Sequence, residues 1–376
     1  MKKLTILLVI DGRVRRAGIQ TLMLDICQQI DKEKFQIIWY FTGDLEELDF
    51  YKEVIAQSKE IYYRKHVRKT RVGRYIQMLR DIKQILNVYH IDILHVNSGL
   101  HITHGIVLLY GKLFKINKRI SHAHGVNMKY KKNTLSVKEK LECQILKKLI
   151  VSNANVLIAC SKETGEIVFG SKTRYHILKN GIDLDSFMYS EKLRTKSRED
   201  FNLTDKFVVG TIARFSKVKN YPFLINSFEM VLKNKENAML LLVGDGEEKE
   251  EILAMVKQKG IEKNVIFVGH TNEVTKYLHI MDVFVLPSFT EGLSLVTVEA
   301  QVSGLPCVVS TGLPDEILLT DKIQKYPLSD GFSKWANYIL ESKKYTVRKN
   351  NIEVIRKQGF DIEDTVQSLE ELYLVK

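Results

Sequence analysis

No two of the four cysteines, Cys27, Cys143, Cys160 and Cys307, are close in sequence, and none forms a CxxC pair. That spacing excludes a disulfide framework or zinc knuckle and leaves reduced, mostly buried thiols to which no chemistry is assigned. The opening stretch MKKLTILLVI reaches Asp11 and Gly12 too soon for a secretory leader. No later run approaches the roughly 20 apolar residues of a membrane span. The expectation is a cytosolic protein. Neither GxGxxG nor GxxxxGKS/T occurs, so NAD-dependent and P-loop chemistry lack their motifs. Val243-Gly244-Asp245-Gly246 is half of a dinucleotide fingerprint, and Glu247, Glu248 and Glu250 behind it would repel a pyrophosphate. Short-period repeats and low-complexity tracts are also missing.

What the chain has is apolar residues and positive charge. With 376 residues, 45% hydrophobic and 27% charged, it is long enough for two cores and too apolar to be disordered. A net charge of +12 asks for an anionic partner: nucleic acid, an anionic membrane surface or a phosphorylated substrate. Basic residues crowd the first half beside aromatics, in Tyr62-Tyr63-Arg64-Lys65-His66-Val67-Arg68-Lys69, in Lys112-Leu113-Phe114-Lys115 with Lys118-Arg119, and in Lys129-Tyr130-Lys131-Lys132. Such clusters suit a lipid headgroup layer or plain solvated loops, and the sequence leaves both open.

Apolar runs alternate with amphipathic stretches along the chain. Residues 4–10, 35–41, 91–96, 119–122, 156–160 and 175–178 read as strands, with helices over 74–89, 102–113 and 137–151 and one beginning near Gly18. A βαβα pattern makes the sheet parallel. After the turn Lys179-Asn180-Gly181-Ile182-Asp183 a polar interval, 190–205, marks a boundary. A second series with strands at 207–212, 239–243, 265–268, 283–286 and 307–310 is Rossmann-like in its own right. The last helix, 362–374, carries Val366, Leu369 and Leu372 on one face and should pack against a domain.

The stretch PSFTEGLSLVTVEAQVSGLP, residues 287–306, follows the strand 283–286 and concentrates chemistry. Glu291 lies in a loop, Gly292 permits a turn or close backbone approach, and Ser294 stands where an N-cap is wanted before a helix stopped by Gly304 and Pro306. Backbone amides near Leu295 and Val296 would point out of the helix start and could hold a phosphate. Glu299, about one and a half turns in, could accept hydroxyls beyond it. Read on the residues alone, both glutamates are equally well ordinary loop and helix-surface residues. Arg214 and Lys219 follow the strand 207–212 and could neutralise a diphosphate, although a solvated loop would look the same.

Six of the ten histidines, His90, His95, His101, His104, His122 and His124, crowd one part of the first half. Their spacing is poor for a metal set, because no carboxylate completes it. One of them is instead expected at a strand end, bonding a substrate hydroxyl or phosphate. Asp183-Leu184-Asp185 is a DxD, a pattern that can hold a divalent cation, but after a Gly turn it reads as a capped linker.

These stretches resemble a known family. VVGTIARFSKVKNYPFLINSF, LLLVGDGEE, VIFVGHTNEV and MDVFVLPSFTEGLSLVTVEAQVSGLPCVVS resemble the donor-binding half of the retaining glycosyltransferases of family 4, and the likeness covers almost the whole chain. Glu291 and Glu299 match that family's paired glutamates with seven residues between. SHAHG, LIACSKETGEIVFG and LKNGIDLDSF are similar to the subgroup that builds bacterial capsular polysaccharides and exopolysaccharides.

The resemblance implies an α/β chain of GT-B fold: an acceptor-binding Rossmann-like domain over 1–183, a nucleotide-sugar-binding one over 184–358, and a helix over 359–376 crossing back to the first. It implies that Arg214 and Lys219 neutralise the donor diphosphate, that Glu299 binds its ribose and Glu291 the transferred sugar, and that Gly292 and the Leu295 and Val296 amides also serve the donor. His124 matches the family's cleft histidine, with His122 as competitor. Gly18 matches one of a glycine pair after the first strand, but here Ala17-Gly18 replaces Gly-Gly and follows Arg15 and Arg16.

The reaction implied is retaining hexosyl transfer, without a metal or cofactor, from a nucleotide-diphosphate sugar, expected to be a UDP-sugar, to a lipid-linked saccharide. It would take place at the inner membrane face, with no nucleic-acid partner. Closure by hinge motion near residues 180–185 would limit donor hydrolysis. Two alternatives share the scaffold: a nucleotide-sugar epimerase, and a non-catalytic nucleotide-sugar-binding or scaffolding subunit.

Overall fold

Apolar runs buried on both faces build two sheets in which every pairing is parallel, as sheets covered by helices require. The computed structural model describes residues 3–64, 70–99, 102–125, 135–345 and 348–375. The basic cluster 129–132, the 65–69 part of the cluster 62–69 and His101 lie outside the described residues. The chain divides into two compact units, Met1–Ile182 with Gly359–Lys376, and Asp183–Gln358.

The first unit has strands β1 (Leu4–Ile10), β2 (Phe35–Phe41), β3 (Glu60–Tyr62), β4 (Ile93–Ser98), β5 (Lys118–Ala123), β6 (Val156–Ala159) and β7 (His176–Ile177), in the order β3-β2-β1-β4-β5-β6-β7. Alternate residues feed two cores: Ile6, Leu8 and Ile10 face one layer, Leu7 and Val9 the other. The helix Ile362–Leu374 lays Ile362, Val366, Leu369 and Tyr373 into the first layer. It is entered through a short parallel bridge between Ile182 and Asp361, in which Ile182 N donates to Phe360 O at 2.9 Å and Ile362 N to Ile182 O at 3.0 Å.

The second unit has β8 (Phe207–Ile212), β9 (Ala238–Val243), β10 (Val265–Gly269), β11 (Val283–Leu286), β12 (Cys307–Ser310) and β13 (Ile323–Tyr326), in the order β10-β9-β8-β11-β12-β13. In both sheets the strand order reverses once, between β1 and β4 and between β8 and β11, with all strands still parallel. Ligands of open α/β sheets bind outside the carboxyl ends of the strands at such points.

Several elements differ from the sequence reading, the helix Leu48–Ala56 among them. β3 and β13 were not expected, because each is only three or four residues long and half-buried, too short to show a period. The polar interval 190–205 is not a linker: it contains the helix Glu191–Asp200, capped by Ser190, whose side chain accepts from Leu193 N. Its arginines are structural. Arg194 meets Asp282 at 2.5 Å, and the buried Arg198 meets Asp282 at 3.2 Å and Ile280 O at 2.6 Å. They thus satisfy carbonyls left over at the end of the helix Val274–Ile280. Asp183 accepts from Ser186 N at 3.3 Å and caps the turn Asp185–Phe187.

Candidate functional site

In the second unit, the loops leaving β8 and β11 are bound to one another. The β8 loop ends in the turn Lys217–Lys219 and then Asn220, whose left-handed backbone (φ 57) starts the helix Tyr221–Asn234, with Pro222 in the first turn. Asn220 Nδ2 donates to Pro287 O at 3.2 Å, and Phe289 N donates to Val218 O at 2.9 Å. These bonds fix the side chains above them. Lys219 Nζ lies 2.6 Å from Glu291 Oε1, with the two side chains only 20% and 12% exposed.

Glu291 is held from its other side as well. Its N–H donates to Gly312 O at 3.0 Å. A Cβ on Gly312 would stand 2.6 Å from Ser288 O and Phe289 O, so only glycine lets the β12 loop lie this close. The Ser310 hydroxyl donates to Ser288 O beneath it.

Arg214, one turn of loop before Lys219, bonds Glu247 through Nε and Nη2, both at 3.0 Å, and each side chain is 55% exposed. The half-fingerprint around Gly244 and Gly246 has a packing reason. Phe215 N donates to Asp245 O at 2.9 Å, Glu248 N donates to Phe215 O at 3.1 Å, and Gly244 takes φ +138 against Ala213 O. The loop after β9 is clamped on the loop after β8, which leaves Glu247 beside Arg214 as its partner.

The helix Leu295–Val302 starts beyond Glu291 and Gly292. Ser294 occupies its N-cap position but makes no capping bond with its side chain; Ser294 Oγ instead accepts from the Thr297 hydroxyl at 3.0 Å. The expected side-chain cap is therefore replaced by a hydroxyl pair. The amides of Leu295 and Val296, both half-exposed, precede the first residues that can find a carbonyl four back within the helix. Amides at such a position can take an anion. Glu299 is half-buried on the same helix.

Gln301, which the sequence did not single out, anchors this helix. Fully buried, it donates to Ile317 O at 2.9 Å and accepts from Leu319 N at 3.1 Å and Thr320 N at 3.2 Å. Gly304 (φ 64) ends the helix, and Leu305 N closes on Ala300 O at 3.0 Å.

In the first unit, His124 sits just past the end of β5 and is 7% exposed. Its Nε2 lies 2.8 Å from Asn97 Oδ1 and its Nδ1 3.2 Å from Asn180 Oδ1. Burial pushes its pKa down to about 4, with Asn180 partly opposing, so near pH 7 the ring has one N–H and one lone pair. It can then donate to only one of the two amide oxygens. Asn97 Nδ2 is buried without a partner, so the Asn97 amide is the one that gains by turning its NH2 to the ring.

His122 is enclosed. Its ring lies between those of His95, at 5.3 Å, and His124, at 3.9 Å. His95 Nδ1 is 2.6 Å from the Tyr373 hydroxyl and His95 Nε2 is 3.2 Å from His122 Nδ1. Burial keeps Tyr373 protonated, so it can donate to His95, which in turn donates to His122. His104 is bonded to Ser121 at 2.8 Å and Gly99 O at 3.2 Å. His95, His122 and His124 form a stack in which burial lowers all three pKa values and His95 bonds His122, and among the described residues no three His, Cys, Asp or Glu side chains are placed to hold a metal.

Gly18 opens the helix Gly18–Gln29 and is exposed, with nothing within 4 Å of where a Cβ would stand. Ala17 precedes it in extended conformation and gives no side-chain cap. Arg16 is bonded to Glu53 at 2.5 Å, and Arg13 and Arg15 to Glu46 at 3.1 and 3.3 Å. These arginines pin the loop before Gly18.

Comparisons with known proteins fit this arrangement. The profile described as Glycosyltransferase Family 4 matches residues 16–186, and that described as Glycosyl transferases group 1 matches residues 194–333. The chain is 26% identical over 376 residues to EpsF of Bacillus subtilis (strain 168), itself only provisionally named a glycosyltransferase, covering 98% of this chain and 96% of that one. It is 23% identical to the UDP-Gal:alpha-D-GlcNAc-diphosphoundecaprenol alpha-1,3-galactosyltransferase of Escherichia coli, over 80% of this chain and 81% of that one. Among solved structures, HepE of Anabaena in complex with UDP superposes with a TM-score of 0.78 at 18% identity, over 98% of this chain and 99% of that one.

Proposed function

Because the chain belongs to the glycosyltransferases of Family 4 and group 1 and has the GT-B fold, we propose that it transfers a hexosyl group, with retention, from a UDP-sugar to a lipid-linked saccharide of a cell-surface polysaccharide. The Lys219–Glu291 pair carries this reading. It sets a cation and a carboxylate acceptor 2.6 Å apart at the sheet's switch point, where a helix start also offers amides. A sugar diphosphate needs both signs of charge.

In this reading Arg214, Lys219 and the Leu295 and Val296 amides take the diphosphate charge. Glu299 accepts from the ribose and Glu291 from the transferred sugar; His124, with both ring nitrogens taken by Asn97 and Asn180, is given no bond to the donor. The anomeric carbon–oxygen bond breaks with its electron pair leaving on the diphosphate. The acceptor oxygen enters on the same face, and its proton goes to the departing phosphate oxygen. Stabilisation of the leaving diphosphate by fixed charges and dipoles supplies most of the rate, so no metal or cofactor is assigned. The lipid-linked acceptor is supported by the E. coli relative's name and the donor by that name and by the UDP complex; in this reading the work is done at the inner membrane face, where such an acceptor is held.

The test is transfer from a panel of UDP- and GDP-sugars to a polyprenyl-diphosphate saccharide, with the product's anomeric configuration read by NMR and the reaction repeated in EDTA. Retained configuration with a UDP-sugar, undiminished by EDTA, is the expected result. Donor turnover without acceptor would point to an epimerase instead, and inversion or EDTA sensitivity would refute the mechanism.

A further inference from the structure

The helix Val137–Asn153 of the first unit buries Cys143 and Ile150 against the sheet. Its opposite face should be polar, yet Val137, Leu141 and Ile145 stand there at four-residue spacing, 86%, 58% and 58% exposed. Single exposed aliphatics are ordinary, but a row of three along one helix face is not. Exposed lysines fringe the row: Lys138 and Lys148 beside it, Lys140 one step round. Glu139 is turned back into a capping box with Ser136, which leaves Glu142 as the acid nearest the row.

A second helix repeats the pattern. Arg71–Val88 buries Met78, Ile82 and Ile85 and exposes Val72 (67%) and Ile76 (44%), followed on the same face by exposed Arg80. Both helices pack on the same layer of the sheet. Each follows a parallel strand, β3 or β5, so each starts at the sheet's carboxyl edge, and both apolar rows fall in the halves nearest that edge.

We propose that these two outward faces dock the protein on an anionic lipid bilayer, with the aliphatic rows entering the headgroup–acyl boundary and the lysines and Arg80 meeting lipid phosphates. Convex rows with basic fringes are the form of interfacial helices, which need no groove. A second copy of the chain fits worse, because face-to-face pairing would bring lysine against lysine. Among the described residues no helix is long and apolar enough to cross a membrane, so these rows lie on the surface rather than span it. The docking is independent of the transfer chemistry.

The experiment is co-sedimentation of the full chain with phosphatidylcholine vesicles with and without phosphatidylglycerol. Three proteins are compared: wild type, the triple variant Val137→Ser/Leu141→Ser/Ile145→Ser, and the pair Lys138→Gln/Lys148→Gln. All five positions are exposed, so folding should be unaffected, which circular dichroism verifies. Wild type is expected to bind only the anionic vesicles. The lysine pair should bind about 25-fold more weakly, at roughly fivefold per basic residue near the surface, and the serine triple at least as weakly. Equal binding by the serine triple and wild type overturns the proposal, as does failure of wild type to bind anionic vesicles. A wild-type dimer in sedimentation equilibrium that the serine triple abolishes would assign the rows to a second copy. Transfer to a water-soluble acceptor should be the same in all three proteins, so a failed transfer reading and a failed docking surface are seen separately.

Discussion

Lys219 and Glu291 are 72 residues apart in sequence and 2.6 Å apart in space, and their ion pair closes the turn after β8 onto the loop after β11. With both side chains mostly buried, the pair is structural before any ligand arrives. Losing either partner strands a charge in a place that water reaches poorly.

Glu291→Ala and Lys219→Ala should therefore each lower stability by about 1–3 kcal/mol in urea unfolding, less than for a fully enclosed pair because some exposure remains. Transfer should fall at least tenfold in each. The double variant Lys219→Met/Glu291→Leu removes both charges and should regain most of the stability while remaining inactive. If the single variants unfold like wild type, the pair contributes nothing to the loop.

Arg214 and Glu247 make the contrasting case, because an ion pair with both side chains more than half exposed is worth only about 0–1 kcal/mol. Arg214→Ala should leave the unfolding midpoint nearly unchanged and raise the donor KM. Glu247→Gln should do the reverse for the donor: it frees the guanidinium for phosphate, and the donor KM should fall. An unchanged donor KM in both variants would remove Arg214 from the site.

Much of this was legible in sequence, and the exceptions share a cause. β1, β2, β8, β11 and β12 are mainly apolar runs, and their limits coincide with the expected strands. Glu291, Lys219 and Arg214 were legible as candidate charges, but the partners of Lys219 and Arg214 were not. Glu247, read as repelling a pyrophosphate, instead holds Arg214, because Gly244 and Gly246 bring two loops together, and only the fold shows that. Asn220 left one usable signal, an Asn two residues before Pro222 at a helix start. Gln301 left none, since its partners at Ile317, Leu319 and Thr320 come from a loop with no pattern of its own.

The histidine stack makes stability depend on pH. Burial lowers His124 to about 4 and His95 to about 3, against roughly 6.5 in the unfolded chain. Below about pH 6.5 the unfolded chain takes up protons that the folded one refuses, so stability present above that pH is lost as pH falls towards the folded values. His124 alone accounts for about 3 kcal/mol across this window. Unfolding midpoints measured from pH 7 to pH 4 should fall steeply, and His95→Gln, which cannot titrate, should show a shallower fall. An equal slope in wild type and variant would mean that His95 does not titrate differently in the two states.

Gly312 and Gly292 separate what holds the Glu291 loop from what uses it. A methyl at Gly312 would meet Ser288 O and Phe289 O at 2.6 Å, and both oxygens belong to backbone that cannot step aside. Gly312→Ala should displace the loop, costing roughly 1–3 kcal/mol and taking activity with it. A methyl at Gly292 meets nothing within 4 Å, and its backbone is not in the left-handed region, so Gly292→Ala should change stability by less than about 0.5 kcal/mol. If the donor lies against this loop, Gly292→Ala should nonetheless raise the donor KM, because the open space is the donor's. Full activity in Gly292→Ala would move the donor away from Gly292, and unchanged stability in Gly312→Ala would show that the loop yields where the packing says it cannot.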